Sequence, residues 1–294
     1  MLLPKRPLPN IPLPLGEGRV RVDEEAPHLD PLPKLGRGYE ENDLKARRNP
    51  PAPFLQRGIV SRFQAEFLGT ELPYLDAMNI MRREADNIRA NHEAVEKLLL
   101  LEHRATITIT RKNGPTHLLV TADVLQEQGI DLVETDRGGD ITFHGPGQLV
   151  GYPLLRLEKL PDPLSDHAYN LLGYLRNLET ALLRACHELG VQRAQLLPGF
   201  TGIWIAEPND KWRKLVAIGV GVKGGVSQHG FALNINNDYQ RFLRYMLPCG
   251  LVGKGVTNLA EQLNELGLPM PPMSEIRDII IRSLIQQFDV PDKK

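Results

Sequence analysis

Four segments carry side chains able to do chemistry. The densest runs Arg137-Gly138-Gly139-Asp140-Ile141-Thr142-Phe143-His144-Gly145-Pro146-Gly147-Gln148. Paired glycines let backbone approach a ligand and turn where a Cβ would clash. Arg137 offers a planar fork of donors, and His144 titrates near neutral pH. The same spacing also suits a plain hairpin turning at Gly145-Pro146-Gly147 beside an exposed Arg137. A Gly-Lys-Ser/Thr ending is missing, so this is not a phosphate loop. Cys249, in Leu247-Pro248-Cys249-Gly250, sits on a constrained turn that can present a thiol beside open backbone N–H groups. Burial as a small apolar residue is the commoner fate of a lone cysteine. Lys214 heads the strand-like run Lys214-Leu215-Val216-Ala217-Ile218-Gly219-Val220. A solvated strand end is its ordinary reading; desolvated beside a thiol, it stabilises the thiolate or trades a proton with it. Ser227-Gln228-His229-Gly230-Phe231-Ala232-Leu233-Asn234 reads as a polar turn, holding His229, that leads into a strand.

These side chains need elements to hold them. Leu75, Met78, Met81, Arg82, Ala85 and Ile88 recur at helical spacing and predict a helix over residues 72–91. Leu98 to Leu101 and the alternating Thr106–Thr110 predict strands, residues 121–129 a short helix, and Leu132-Val133-Glu134 a strand entering the glycine-rich loop. Ser165 to Leu189 reads as one long helix, capped by Ser165 or Asp166 and stopped by Gly190, with Cys186 in its apolar core. Gly202–Ala206, Lys214–Val222 and Gly230–Ile235 are strand-like, and helices are expected near 257–266 and 273–288. Hairpins mix with helices rather than alternating strictly, which predicts an α+β fold with a mixed central sheet flanked by helices.

Composition narrows the function. The 294 residues carry 35 basic and 36 acidic side chains, a balance that argues against a general phosphate-backbone binder. A small basic patch from Arg111, Lys112, Arg213 and Lys223 remains available for an acidic partner. No apolar run approaches the roughly 20 residues that span a bilayer. Two cysteines exclude a disulfide scaffold and a cysteine-built zinc site, and a reducing cytoplasm is the expected compartment. Residues 1–58 hold 11 of the 24 prolines and read as a disordered extension, with translated upstream sequence and a partner-binding tail as the alternatives. The catalytic domain is expected over residues 59–290.

Taken together and in order, the Arg137–Gln148 stretch, Pro198-Gly199-Phe200-Thr201-Gly202-Ile203-Trp204, the Lys214–Gly219 strand, the His229–Asn234 strand, Pro248-Cys249-Gly250 and Gly255-Val256-Thr257 resemble the lipoyl(octanoyl) transferases. The resemblance spans roughly residues 63–290. It implies the fold of the biotin and lipoate protein ligases and no cofactor or metal. It implies an acyltransferase that moves an octanoyl group from octanoyl-acyl carrier protein to a lysine of apo lipoyl domains, those of 2-oxoacid dehydrogenase E2 subunits and of the glycine cleavage H protein. Neither a nucleic acid nor a membrane is implied as a partner. Cys249 matches the acyl-accepting cysteine and Lys214 its partner. Arg137, Gly138, Gly139, Asp140, Ile141, Thr142, Phe143 and His144 match the substrate-binding loop. Ala217, Ile218 and Gly219, with Gly230, Phe231 and Ala232, match two further substrate-binding segments. Three alternatives remain at this level: an ATP-dependent lipoate or biotin ligase, an amidotransferase between lipoyl-domain proteins, and a non-catalytic acyl-carrier binder. Cys249 separates the first and last of these from a transferase, because neither needs a nucleophilic thiol.

Overall fold

A computed structural model describes residues 63–110, 114–157, 170–247 and 253–288. The proline-rich residues 1–58, Arg111, Lys112 and the Pro248-Cys249-Gly250 turn lie outside the described residues. The elements are, in chain order, β1 (Phe63–Phe67), α1 (Tyr74–Ala90), β2 (Glu96–Leu101), β3 (Thr106–Thr110), α2 (Ala122–Glu127), β4 (Asp131–Thr135), β5 (Thr142–His144) and β6 (Gln148–Leu154). They continue with α3 (Leu171–Glu188), β7 (Ala194–Leu197), β8 (Phe200–Glu207), β9 (Lys211–Lys223), β10 (Val226–Asn234), α4 (Tyr239–Leu243), β11 (Lys254–Val256), α5 (Leu259–Glu265) and α6 (Met273–Phe288).

The main sheet runs β1-β2-β6-β10-β9-β8-β7, with β11 added beside β9. It is antiparallel except where β1 joins β2 and β11 joins β9. Helices cover both of its faces, which explains why Leu98 to Leu101 is an unbroken leucine run. Leu98 and Leu100 pack with Leu178, Leu182, Ile276 and Ile280 under α3 and α6. Leu99 and Leu101 pack with Met78, Met81, Ala85 and Ile88 under α1. A second sheet, β4-β3-β5, encloses its own core of Ile107, Leu125, Ile141, Phe143 and Phe242.

The mixed-sheet α+β expectation therefore holds, with three local corrections. β5 and β6 do not form a hairpin: β5 pairs with β3 in the small sheet and β6 with β2 and β10 in the large one. Gly145-Pro146-Gly147 is the crossing between sheets, and Arg137 is half-buried rather than exposed. Ser227–His229 is not a turn: all nine residues of Val226–Asn234 are buried strand, because Ser227 Oγ donates to Pro153 O at 2.7 Å and His229 finds Asp136. The long helix starts at Leu171, and Ser165 and Asp166, its expected caps, lie outside the described residues. Asn170 is its N-cap, non-helical at φ −91° and ψ 85°, and its side chain accepts from Gly173 N–H at 2.5 Å. Cys186 is core, and burial pushes its thiol up to about 12.

Candidate active site

The two sheets meet over a cleft of about 510 Å³, counting the space at its mouth. Its roof is the Arg137-Gly138-Gly139 loop between β4 and β5. Its floor is β9 and β10, through Lys214, Ala217, Ile218, Gly219, Gly230, Phe231 and Ala232. Thr142, His144 and His229 complete the part expected from the sequence, and Tyr74, Val150 and Tyr152 add walls that no motif announced. Asp140, Ile141 and Phe143 do not line it. Ile141 and Phe143 are core of the small sheet, with Phe143 stacked on Phe242 at 4.8 Å. Asp140 pairs with His117 through its carboxylate.

The roof is held by backbone contact and by Arg137. Gly138 N–H donates to Val220 O at 3.0 Å, and loop and strand lie too close for a side chain on Gly138 or on Gly219. Arg137 Nη2 donates to Thr108 Oγ1 at 2.9 Å, to Thr108 O at 3.2 Å and to Asp140 O at 2.5 Å; Nη1 donates to Gly138 O at 3.0 Å. The guanidinium fork thus clamps the loop to β3 while its edge lines the cleft.

Lys214 is re-aimed by a bulge. Ile203 faces Val216, but Trp204 faces Lys214, so Leu215 is an extra residue in β9. The Lys214 Nζ stands over the Trp204 ring, 4.6 Å from its centroid. On the other flank Val256 of β11 pairs with Lys214, and Thr257 N–H donates to Lys214 O at 3.1 Å.

Two histidines flank Tyr74, at ring separations of 4.9 Å for His103 and 5.6 Å for His144, and a third, His229, meets Tyr152. Their partners fix their protons. His103 Nδ1 faces Leu72 O at 3.1 Å and must donate, so Nε2 accepts from the Tyr152 hydroxyl at 2.8 Å. Gln148 spends its amide N–H groups on Asn234 Oδ1 and Phe143 O, so its oxygen accepts from His144 Nδ1 at 2.8 Å. His229 Nε2 donates to Asp136 Oδ1 at 3.1 Å, leaving Nδ1 as a buried lone pair with no partner among the described residues. His229 occupies the left-handed region at φ 58°, unusual for a non-glycine residue in a strand; the twist sets its ring against Tyr152, 6.3 Å away. Burial pushes His103 and His229 down to about 4 and His144 well below its ordinary value. The cleft therefore offers neutral imidazoles and one clamped guanidinium at neutral pH.

Arg213, one of the four cations of the expected basic patch, is committed elsewhere: it ion-pairs with Glu207 at 2.6 Å, Glu265 at 3.0 Å and Glu261 at 3.3 Å. Arg111 and Lys112 of that patch lie outside the described residues.

Residues 73–285 match the model of the lipoyl protein ligase A/B catalytic domain. The chain belongs to that family. Octanoyltransferases are among its relatives: one from Chloroflexus aggregans is 37% identical over 74% of this chain and 92% of its own length, and one from Dictyoglomus thermophilum is 33% identical over 74% and 84%. A lipoate-protein ligase A bound with ATP shares the fold at a TM-score of 0.56 and 16% identity, covering 78% of this chain and 85% of the other. A bipartite lipoate protein ligase from Thermoplasma acidophilum does so at 0.55 and 16%, covering 77% and 83%. In this family member, among the described residues, no helix is long and apolar enough to cross a membrane.

Proposed function

We propose that this lipoyl protein ligase A/B family member is an octanoyltransferase of protein lipoylation. In this reading it takes the octanoyl group from octanoyl-acyl carrier protein and delivers it to the target lysine of apo lipoyl domains, in the cytoplasm, through a thioester on Cys249. The observation that carries the reading is the placement of Lys214. It lies in the cleft between the roof loop and β10, and β11, whose Val256 pairs with it, follows directly on the segment that contains Cys249. The octanoyltransferase relatives support the same acyl group and reaction.

The chemistry then closes on two residues. Lys214 as an ammonium favours the Cys249 thiolate, and each pH unit by which the thiol is lowered corresponds to about 1.4 kcal/mol of that preference. The thiolate attacks the donor carbonyl carbon; the new C–S bond forms as the carrier's C–S bond breaks, and the departing carrier sulfur takes the proton from Lys214. The incoming lysine amine next attacks the octanoyl-Cys249 carbonyl. The amide C–N bond forms, the Cys249 C–S bond breaks, and neutral Lys214 takes the amine proton, restoring the ammonium–thiolate pair. The donor arrives as a thioester, so ATP has no part. The apolar wall of Val150, Ile218, Phe231 and Ala232 gives the octanoyl chain a dry contact surface.

The test is intact mass after mixing the protein with octanoyl-acyl carrier protein without ATP, beside Cys249→Ser. An octanoyl adduct that apo lipoyl domain discharges, absent from the variant, is the expected result. ATP-dependent modification of the lipoyl domain that survives Cys249→Ser would make the protein a ligase instead.

A further inference from the structure

The indole of Trp204 is fully buried, yet its Nε1–H has no partner among the described residues. A buried indole ordinarily spends that hydrogen, so the ring is placed here for its face or its bulk rather than for its N–H. The face has a definite client. Lys214 Nζ stands 4.6 Å from the ring centroid, directly across the β8–β9 pairing. One backbone feature serves this contact: the Leu215 bulge sets Lys214 directly opposite Trp204. Trp204 also meets the half-exposed Phe200 edge-on at 5.9 Å, and Lys254 Nζ caps the Phe200 ring at 4.2 Å.

We propose that Trp204 is a positioning residue for acyl transfer: its indole face holds Lys214 in the cleft as an ammonium, and through Lys214 it favours the Cys249 thiolate. An aromatic face attracts the charged form of a lysine and gives nothing to the neutral amine. Other groups also bear on that charge. Arg137, His144 and His229 line the same cleft, with Tyr74 and Tyr152 behind them. Lys254 lies on β11, and Glu179 Oε1 accepts from Gly202 N–H at 3.0 Å behind the strand. Arg137 in the same cleft is a like charge, and the Trp204 face offsets part of its repulsion of the Lys214 ammonium.

This inference rests on the roles given to Cys249 and Lys214 above, so the experiment separates the two. Alkylation of Cys249 by iodoacetamide, located by peptide mass, is followed against pH without any acyl substrate. Lys214→Met should move the labelling midpoint to higher pH. Trp204→Leu should move it the same way, slow labelling near pH 7 by about 10-fold, and add nothing in the Lys214→Met background. Replacing the indole by mono- and difluorinated tryptophan in a Trp212→Phe chain drains the ring face without changing its shape. The midpoint should then rise in step with fluorination, and this series decides the matter if Trp204→Leu does not fold. A midpoint that Lys214→Met moves but fluorination leaves still overturns the role of Trp204 alone. A midpoint that Lys214→Met leaves still overturns the dyad and this inference with it.

Discussion

A Cβ on Gly219 would stand 2.8 Å from the carbonyl oxygen of Gly138. The reverse holds one residue along, where a Cβ on Gly138 would stand 2.8 Å from the carbonyl oxygen of Val220. Roof and floor of the cleft are therefore pinned by backbone against backbone, a contact no side chain can replace. Gly219→Ala should lift the roof loop by several tenths of an ångström or more. The fold should lose about 1–3 kcal/mol through overpacking, while octanoyl transfer drops roughly 100-fold because the acyl group is no longer held in line. Urea unfolding and single-turnover transfer measured on one preparation check both. Transfer at the wild-type rate would mean that this contact does not set the roof.

The buried histidines make stability depend on pH in a stated direction. His103 and His229 titrate in the folded chain at about 4, against about 6.5 when unfolded, because burial disfavours the imidazolium. Above the unfolded value neither state binds the proton and stability is full. As pH falls from about 6.5 toward 4 the unfolded chain takes protons that the folded chain refuses, so stability is lost across that window. Each histidine should account for about 2–3 kcal/mol by pH 4.5. His103→Gln can keep bonds to Leu72 O and Tyr152 Oη without a titrating group; with His144 and His229 still titrating, it should flatten the acid limb of the urea midpoint by about a third. An unchanged limb would place the acid sensitivity elsewhere.

The parts of this fold that sequence reveals are those where one period dominates. The apolar repeat of Met78, Met81, Ala85 and Ile88 faces one sheet and nothing else, so the α1 helix could be read directly. The alternation in Thr106–Thr110 likewise marks a strand with two unlike faces. What the pattern hides is pairing. Gly145-Pro146-Gly147 carries turn chemistry whether the flanking strands pair with each other or part into two sheets, and they part. Ser227-Gln228-His229 reads as a turn because its residues are polar, and only distant partners, Pro153 O and Asp136, satisfy them inside a strand. In the cleft, Lys214 and the glycines were visible as motifs. Tyr74 and Tyr152 were not, because each sits within an apolar helix or strand whose period accounts for it, and only the packed fold brings both against His103, which lies beyond the end of β2.

Arg137 differs from an ordinary surface cation in that several of its donors go to the loop that carries it. Arg137→Lys keeps the charge but cannot reach Thr108 and Asp140 O together, because an ammonium has no planar fork. The expected outcome is a roof loop that unpins from β3. Hydrogen exchange at Gly138 and Gly139 should rise at least 10-fold, consistent with the loss of roughly 1.5–3 kcal/mol of charge-assisted bonding. If Arg137 served only as a charge, exchange would stay as in the wild type.

Gln148 joins His144 to the flank of Lys214. Its oxygen accepts from His144 Nδ1 at 2.8 Å, its amide donates to Asn234 Oδ1 at 2.9 Å, Asn234 Nδ2 donates to Thr257 O at 3.1 Å, and Thr257 N–H donates to Lys214 O at 3.1 Å. The chain is buried and directional, so changing one link re-protonates another. Gln148→Leu strands the His144 Nδ1–H, and should lower stability by about 1–3 kcal/mol while transfer slows. Gln148→Glu tests the direction more sharply. A carboxylate still accepts from His144 but has nothing to donate to Asn234 Oδ1 or Phe143 O, and its charge favours the imidazolium that burial now suppresses. The His144 pKa should therefore rise in Gln148→Glu, followed by the ring proton resonances across a pH titration. A His144 that stays neutral through the same range would show that Gln148 does not govern its protonation.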